Sequence, residues 1–187
     1  MDPVQLIQKY YNRESRAYSI LLAHSSAVTK KALTVAKHVS QFNPDLQFIV
    51  EAGMLHDIGI FMTYAPDIDC HGDKPYICHG YLGRELVEKE GFPKHALVCE
   101  RHVGVGFSVE DIEKDKLPLP KRDMRPHTIE EEIICFADKF YSKNGETSNK
   151  EKSVDKIREE LRKHGENRVD RFDQWLEKFQ HDTVKKL

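Results

Sequence analysis

The chain has 187 residues, a formal net charge of −2 and 32% charged residues. That length suits one compact domain with a real core, or one domain plus an extension. The near-neutral balance excludes a global attraction to long nucleic acid or to an anionic membrane, while leaving room for local basic patches.

Four cysteines, Cys70, Cys78, Cys99 and Cys135, make no C-x-x-C pair. Reduced thiols rather than a disulfide framework are expected. The stretch MDPVQLIQKYYNRESRAY lacks the basic-then-apolar layout of a secretory signal. No apolar run is long enough to span a bilayer. The expectation is a cytoplasmic protein.

In chain order, Leu21, His24, Val28, Ala32, Val35 and Val39 follow a helical stripe. Asn43-Pro44 predicts a helix start with Asn43 as N-cap. LQFIVEAGMLHDI is apolar nearly all round, as in a buried helix, and Gly59 is expected to help end it. FMTYAPDIDCHGDKPYICHG, rich in Pro, Asp and Gly, predicts a loop. HGYLGRELVEKEG predicts a helix stopped by Gly91, and PKHALVCERHVG a short helix opened by Pro93. Residues 104–127, with Pro118, Pro120 and Pro126, predict a loop holding one helical turn. Thr128 to Glu131 fits a capping box that opens the helix TIEEEIICFADKFYSK. NGETSNKEKS predicts a hydrophilic linker. SVDKIREELRKHG and ENRVDRFDQWLEKF predict two final helices, docked through Val154, Ile157, Leu161, Phe172, Trp175, Leu176 and Phe179. No strand-like alternation and no repeat is present. The fold class is all-α, with a helical bundle over 1–144 and a C-terminal helical extension over 145–187.

Ten histidines stand out in the composition. His24 lies on the apolar stripe of its helix. His56 follows Ile49 and Gly53 at helical spacing, Asp138 follows Ile134, and His102 shares a face with Val98. His79 opens a helix whose Leu82 and Leu86 face the core. His56 and Asp57 are neighbours on one helix, about 100° apart, so they do not pair with each other. One inward histidine is usually a satisfied core residue. Several unpaired imidazoles and carboxylates would cost several kcal/mol in desolvation, a cost that a coordinated divalent cation removes. Imidazole nitrogens and carboxylate oxygens suit Fe, Mn, Zn or Ni. His38, His95, His127, His164 and His181 are expected at the surface or as caps, and His71 at the mouth of the site.

The order His24, His56-Asp57 within HDIG, and Asp138 within FADK resembles the H…HD…D signature of the HD-domain superfamily. His79 in ICHG and His102 in ERHVG extend it to the H…HD…H…H…D pattern of members that hold two metals. The resemblance covers roughly residues 15–143 and looks closest to small uncharacterised HDIG proteins of bacteria and archaea. It implies an HD-domain helical bundle and a metal-dependent phosphohydrolase. The metal ligands it implies are His24, His56, Asp57, His79, His102 and Asp138, holding one or two divalent ions (Fe, Mn, Mg, Ni or Zn). Asp57, His79 and His102 would be catalytic, with Asp57 bridging the ions and a metal-activated hydroxide cleaving a phosphate mono- or diester. The substrate class would be a small phosphorylated molecule such as a nucleotide.

Among nearby basic residues, Arg84, Lys139, Arg101 and Arg122 are the substrate-binding candidates, with Lys121 and Arg125 behind them, because guanidinium groups suit bidentate phosphate contact. The absence of a GYP motif and of HDxxED argues against the cyclic-di-GMP and stringent-response branches. Three alternatives stay open: a di-iron oxygenase of the same superfamily, a non-catalytic metal-stabilised binding module, and a structural zinc site using Cys70-His71, Cys78-His79 and Cys99-x-x-His102. The loop at 61–78 and the segment at 104–127 are expected to line the pocket.

Overall fold

Asp2, Ser15, Asp45, Ser108, Thr128 and Ser153 each stand at a helix N-terminus, where a side-chain oxygen accepts a backbone N–H of the first turn. These caps satisfy donors that a helix start leaves open and so fix where the helices begin. The computed structural model describes residues 1–143 and 150–180, without the side chain of Gln180. Its helices are α1 (Pro3–Gln8), α2 (Arg16–His38), α3 (Leu46–Leu55), α4 (His79–Lys89), α5 (Pro93–Arg101), α6 (Val109–Lys114), α7 (Ile129–Asp138), α8 (Val154–Arg162) and α9 (Glu166–Gln180). The all-α expectation holds, with one small addition. The loop after α3 contains an antiparallel ribbon of β1 (Tyr64–Ala65) and β2 (Cys70–His71).

The long α2 is the spine. It packs against α3 and α7, while α4 packs against α5. Two apolar clusters result. One joins α2, α3 and α7 to the last two helices through Val28, Ile49, Ile133, Phe136, Phe172 and Trp175. The other joins the N-terminal helix to α3 and α4 through Ile7, Leu21, Leu55, Ile58 and Val87. On α2, His24 falls between Leu21 of one cluster and Val28 of the other. The spine thus carries a polar group into the seam between two dry cores.

The docking residues expected on α8 and α9 do pack inward. Phe136 of α7 stacks on Phe172 of α9 with ring centroids 5.4 Å apart, and Phe179 meets the same ring edge-on at 5.2 Å. A buried phenylalanine of this kind contributes about 2–3 kcal/mol. Arg168 and Arg171 add a polar grip. Arg168 donates to the Gly106 carbonyl at 2.9 Å, and Arg171 donates to the carbonyls of Val105 and Gly106, both at 3.0 Å. Gly106 has φ of 78°, and a Cβ there would lie 2.7 Å from the Arg125 Cα, so the turn that presents these carbonyls needs glycine.

Several boundaries differ from the sequence expectation. The N-cap of α3 is Asp45, not Asn43. Asp45 accepts from the Phe48 N–H and donates its own N–H to Glu130 of α7, while Asn43 ends a short 3₁₀ turn in left-handed conformation. α3 stops at Leu55, and the chain tightens into a 3₁₀ turn at Ile58–Met62 that contains Gly59. α7 stops at Asp138 rather than near residue 143. The turn at Val109–Lys114 is a capped helix, held by Ser108 and Asp111. α1 has no counterpart in the sequence reading. Most of the segment NGETSNKEKS, and His181, lie outside the described residues.

Candidate metal centre

The six groups singled out by spacing come from five helices and meet around Asp57. His56 is the C-cap of α3 and Asp57 follows it; His102 is the C-cap of α5; Asp138 ends α7; His79 opens α4; His24 lies mid-α2. Three helix C-termini therefore point their negative ends at one spot, an arrangement that favours a cation.

Asp57 is fully buried. Its Oδ2 lies 3.0 Å from Nε2 of His56 and 3.2 Å from Nε2 of His24. Its Oδ1 lies 3.2 Å from Nε2 of both His79 and His102. Asp138 Oδ1 is 2.9 Å from Nε2 of His24 and 3.5 Å from that of His56. Two overlapping groups of donors that can hold a metal follow: His24, His56, Asp57 and Asp138; and Asp57, His79 and His102. Asp57 belongs to both.

The rings are oriented by their far nitrogens. Nδ1 of His56, His79 and His102 lies 2.7, 2.6 and 2.7 Å from the carbonyls of Gly53, Tyr76 and Cys99. A carbonyl only accepts, so each Nδ1 carries a proton and each Nε2 faces inward, where it can coordinate a cation once it has none. Oδ1 of Asp57, Nε2 of His56 and Nδ1 of His24 make no well-directed hydrogen bond within the protein. Orphaned polar atoms at this depth cost free energy unless something binds them. The donor set fits one or two divalent cations, and the chemistry of imidazole and carboxylate does not decide among Fe, Mn, Mg, Ni and Zn.

The electrostatics agree. Burial raises the cost of charge on Asp57, but His56 and Lys143 outweigh it and hold the carboxyl well below the usual range. Asp138 is held low in the same way by Lys139 and Lys143. Burial also opposes protonation of His56, yet Asp57 and Asp138 reverse the sign and lift it to about 9. For His102 burial prevails and takes it down to about 4.

The expected phosphate-binding residues divide. Lys139 reaches Asp138 Oδ2 at 2.9 Å and donates to the His102 carbonyl at 3.3 Å. Arg84 and Arg122 converge on the buried Glu100, at 2.5 Å for Arg84 and 2.8 Å for Arg122 Nε. Arg101 pairs with Glu131 at 2.9 and 3.0 Å. Lys121 pairs with Glu113 and Arg125 with Asp123. All six of these basic side chains are thus paired with carboxylates, and among them Lys139 alone pairs with a member of the centre. The sequence reading did not find Lys143, whose Nζ lies 2.6 Å from Asp57 Oδ2.

A cavity of about 270 Å³ opens beside the centre, lined by Ala65, Asp67, Ile68, Tyr76, Tyr141, Ser142, Lys143 and Lys152. The 61–78 loop contributes to it as expected; residues 104–127 do not. His71 is exposed on the ribbon, 3.2 Å from Asp69. His95, expected at the surface or as a cap, is packed between Phe48 and Phe92 and paired with Glu51. No cysteine joins the donor groups among the described residues. All four are buried free thiols, which leaves the structural zinc reading without support.

A helical bundle with this donor order matches the HD domain family model over residues 21–143, and the chain belongs to that family. An uncharacterized protein of Methanocaldococcus jannaschii is 36% identical over 121 residues, which are 63% of this chain and 64% of that protein. Two proteins named tRNA (cytidine(56)-2'-O)-methyltransferase are also similar. The one from Picrophilus torridus is 30% identical over 70% of this chain and 34% of its own length. The one from Thermoplasma volcanium is 29% identical over 67% of this chain and 33% of its own length. The match therefore spans about a third of each methyltransferase. No solved structure matches. No helix among the described residues is long and apolar enough to cross a membrane.

Proposed function

We propose that the protein is a metal-dependent phosphohydrolase that cleaves a phosphate mono- or diester of a small molecule, most simply a nucleotide. The observation that carries the proposal is Asp57, a fully buried carboxylate that faces four inward Nε2 atoms, two from each oxygen. His24, His56, Asp57 and Asp138 would hold one divalent cation, and Asp57, His79 and His102 a second. Bound there, such cations lower the pKa of water and neutralise phosphoryl oxygens.

The remaining work falls to the chain itself. Asp57 presents one oxygen to each half of the centre and fixes their spacing. The Gly53, Tyr76 and Cys99 carbonyls hold three rings in the tautomer that keeps Nε2 free. Lys139, anchored to Asp138 and to the His102 carbonyl, supplies fixed positive charge for a phosphoryl group. Arg84, Arg101 and Arg122 would reach substrate only by leaving Glu100 and Glu131. Similarity to proteins named for a tRNA nucleotide favours a nucleotide over a lipid or sugar phosphate. Four buried free thiols fit a reducing, cytoplasmic setting.

The test is release of product from p-nitrophenyl phosphate, bis-p-nitrophenyl phosphate and a nucleotide panel by chelator-stripped protein reloaded with Mn²⁺. Phosphate release that disappears in Asp57→Ala supports the reading. Oxygen uptake by iron-loaded protein with no phosphate release would replace it with an oxygenase. Tight nucleotide binding without turnover would replace it with a binding module.

A further inference from the structure

The two lysines at the centre are held differently. Lys139 takes Asp138 Oδ2, while Oδ1 of the same carboxylate faces His24, so lysine and imidazole use opposite oxygens. Lys139 also donates to a backbone carbonyl, which fixes it in place. Lys143 instead takes Asp57 Oδ2, the same oxygen that faces His24 and His56. Its ammonium thus stands at a donor atom of the four-residue group. It follows the end of α7 and is not held by that helix. Its charge also acts on Asp138, and the Tyr76 ring lies 5.9 Å from Nζ; Tyr76 and Lys143 both line the cavity beside the centre.

Charge makes this position consequential. Asp57 and Asp138 carry two negative charges, and Lys139 and Lys143 two positive ones, so the four groups balance without any metal. A dication at Asp57 Oδ2 would meet an ammonium on the same oxygen, and like charges at such range repel strongly in a dry site. The cavity offers the ammonium an alternative. With both cation and lysine present, the local excess of positive charge calls for an anion, and the cavity has room for a small one.

We propose that Lys143 is a tethered counter-ion that occupies part of the metal position in the metal-free protein. With a divalent cation in place it turns into the adjoining cavity, where it anchors the anionic part of a phosphorylated substrate. The inference rests on the metal-centre reading given under Proposed function. It assigns Lys143 two opposed effects: it weakens metal binding and strengthens phosphate binding.

The experiment uses Mn²⁺ alone and then inorganic phosphate, each titrated calorimetrically into stripped wild type, Lys143→Met and Lys143→Ala, with thermal unfolding measured alongside. Expected are Mn²⁺ affinity about tenfold higher in both variants, a larger stabilisation by Mn²⁺ than in wild type, and phosphate affinity for the Mn²⁺-loaded protein about tenfold lower. Unchanged or weaker Mn²⁺ binding in variants that fold with metal would overturn the role of Lys143 while leaving the metal centre intact. A wild type that binds no Mn²⁺, Fe²⁺ or Zn²⁺ would instead overturn the metal-centre reading itself. Should the variants fold only with Mn²⁺, the thermal shift supplies the comparison: a shift no larger than that of wild type counts against the proposal.

Discussion

Nε2 of His79 lies 3.1 Å from Nε2 of His102, while Nδ1 of each ring donates to a backbone carbonyl. Rings so arranged turn Nε2 toward Nε2, and two lone pairs at that range repel until a proton or a cation sits between them. Asp57 Oδ1 is 3.2 Å from both and supplies the charge that such a cation needs. His102→Ala should weaken Mn²⁺ binding about tenfold, and Asp57→Asn about a hundredfold, or about 1.4 and 2.8 kcal/mol. The ordering follows because Asp57 belongs to both donor groups. Isothermal titration checks it, and equal losses would mean that Asp57 does not link the two halves.

Gly59 sets the distance between the 3₁₀ turn after Asp57 and α4. A Cβ at this position would overlap the His79 carbonyl and come within 2.5 Å of the Gly83 nitrogen, both backbone atoms that cannot step aside. Gly59→Ala should therefore cost about 2–3 kcal/mol in urea unfolding and also weaken metal binding, because α4 carries His79. A stable Gly59→Ala protein with unaltered Mn²⁺ affinity would show that α4 can shift without disturbing its first residue.

Acid should loosen a contact on α3. Glu51 accepts hydrogen bonds from Gln47 at 2.8 Å and from the Met1 ammonium at 2.6 Å, and it pairs with His95 at 2.9 Å. The Gln47 bond and then the Met1 ammonium lower its carboxyl from 4.5 to about 2 despite burial. A carboxyl lowered in the folded state stabilises fully above its unfolded value and loses that contribution as pH falls toward the folded one. Glu51→Gln should cost on the order of 2 kcal/mol at pH 7 and flatten the decline of stability from about pH 4.5 down to about 2. Parallel decline in wild type and variant across that window would assign acid sensitivity elsewhere.

Phe172 tests whether the last two helices share the fold of the bundle. It is fully buried and stacked on Phe136, two residues before Asp138. Phe172→Ala should cost about 3–5 kcal/mol, with one cooperative transition reported by both circular dichroism and Trp175 fluorescence. Two separated transitions would make α8 and α9 an independent unit.

Much of the donor set was legible because helical periodicity decides which side chains point inward. His24 shares a stripe with Leu21 and Val28, and HDIG closes a segment too apolar to be exposed. The helix ends were less legible. Asn43-Pro44 carries the residue types of a start, yet Asp45 won because it also reaches Glu130 of α7, a contact that no local pattern contains. Lys143 was hidden for a related reason. Five residues beyond Asp138 on a continuing helix it would face elsewhere; because α7 stops at Asp138, the chain brings it back to Asp57. The pairing of Arg84 and Arg122 with Glu100 was equally invisible, since it joins three separate segments. α1 is too short for a periodic signal, and only Asp2 before Pro3 marks it.

The arginines of α9 reach well beyond their own neighbourhood. By clasping the carbonyls of Val105 and Gly106, Arg168 and Arg171 fasten the stretch that leaves His102, although α9 contributes no donor to the centre. Shortening the chain before α9 would leave all six candidate donors in the sequence yet unmoor the backbone just downstream of one of them. Loss of metal retention in such a truncated protein would then report a missing buttress, not a missing ligand.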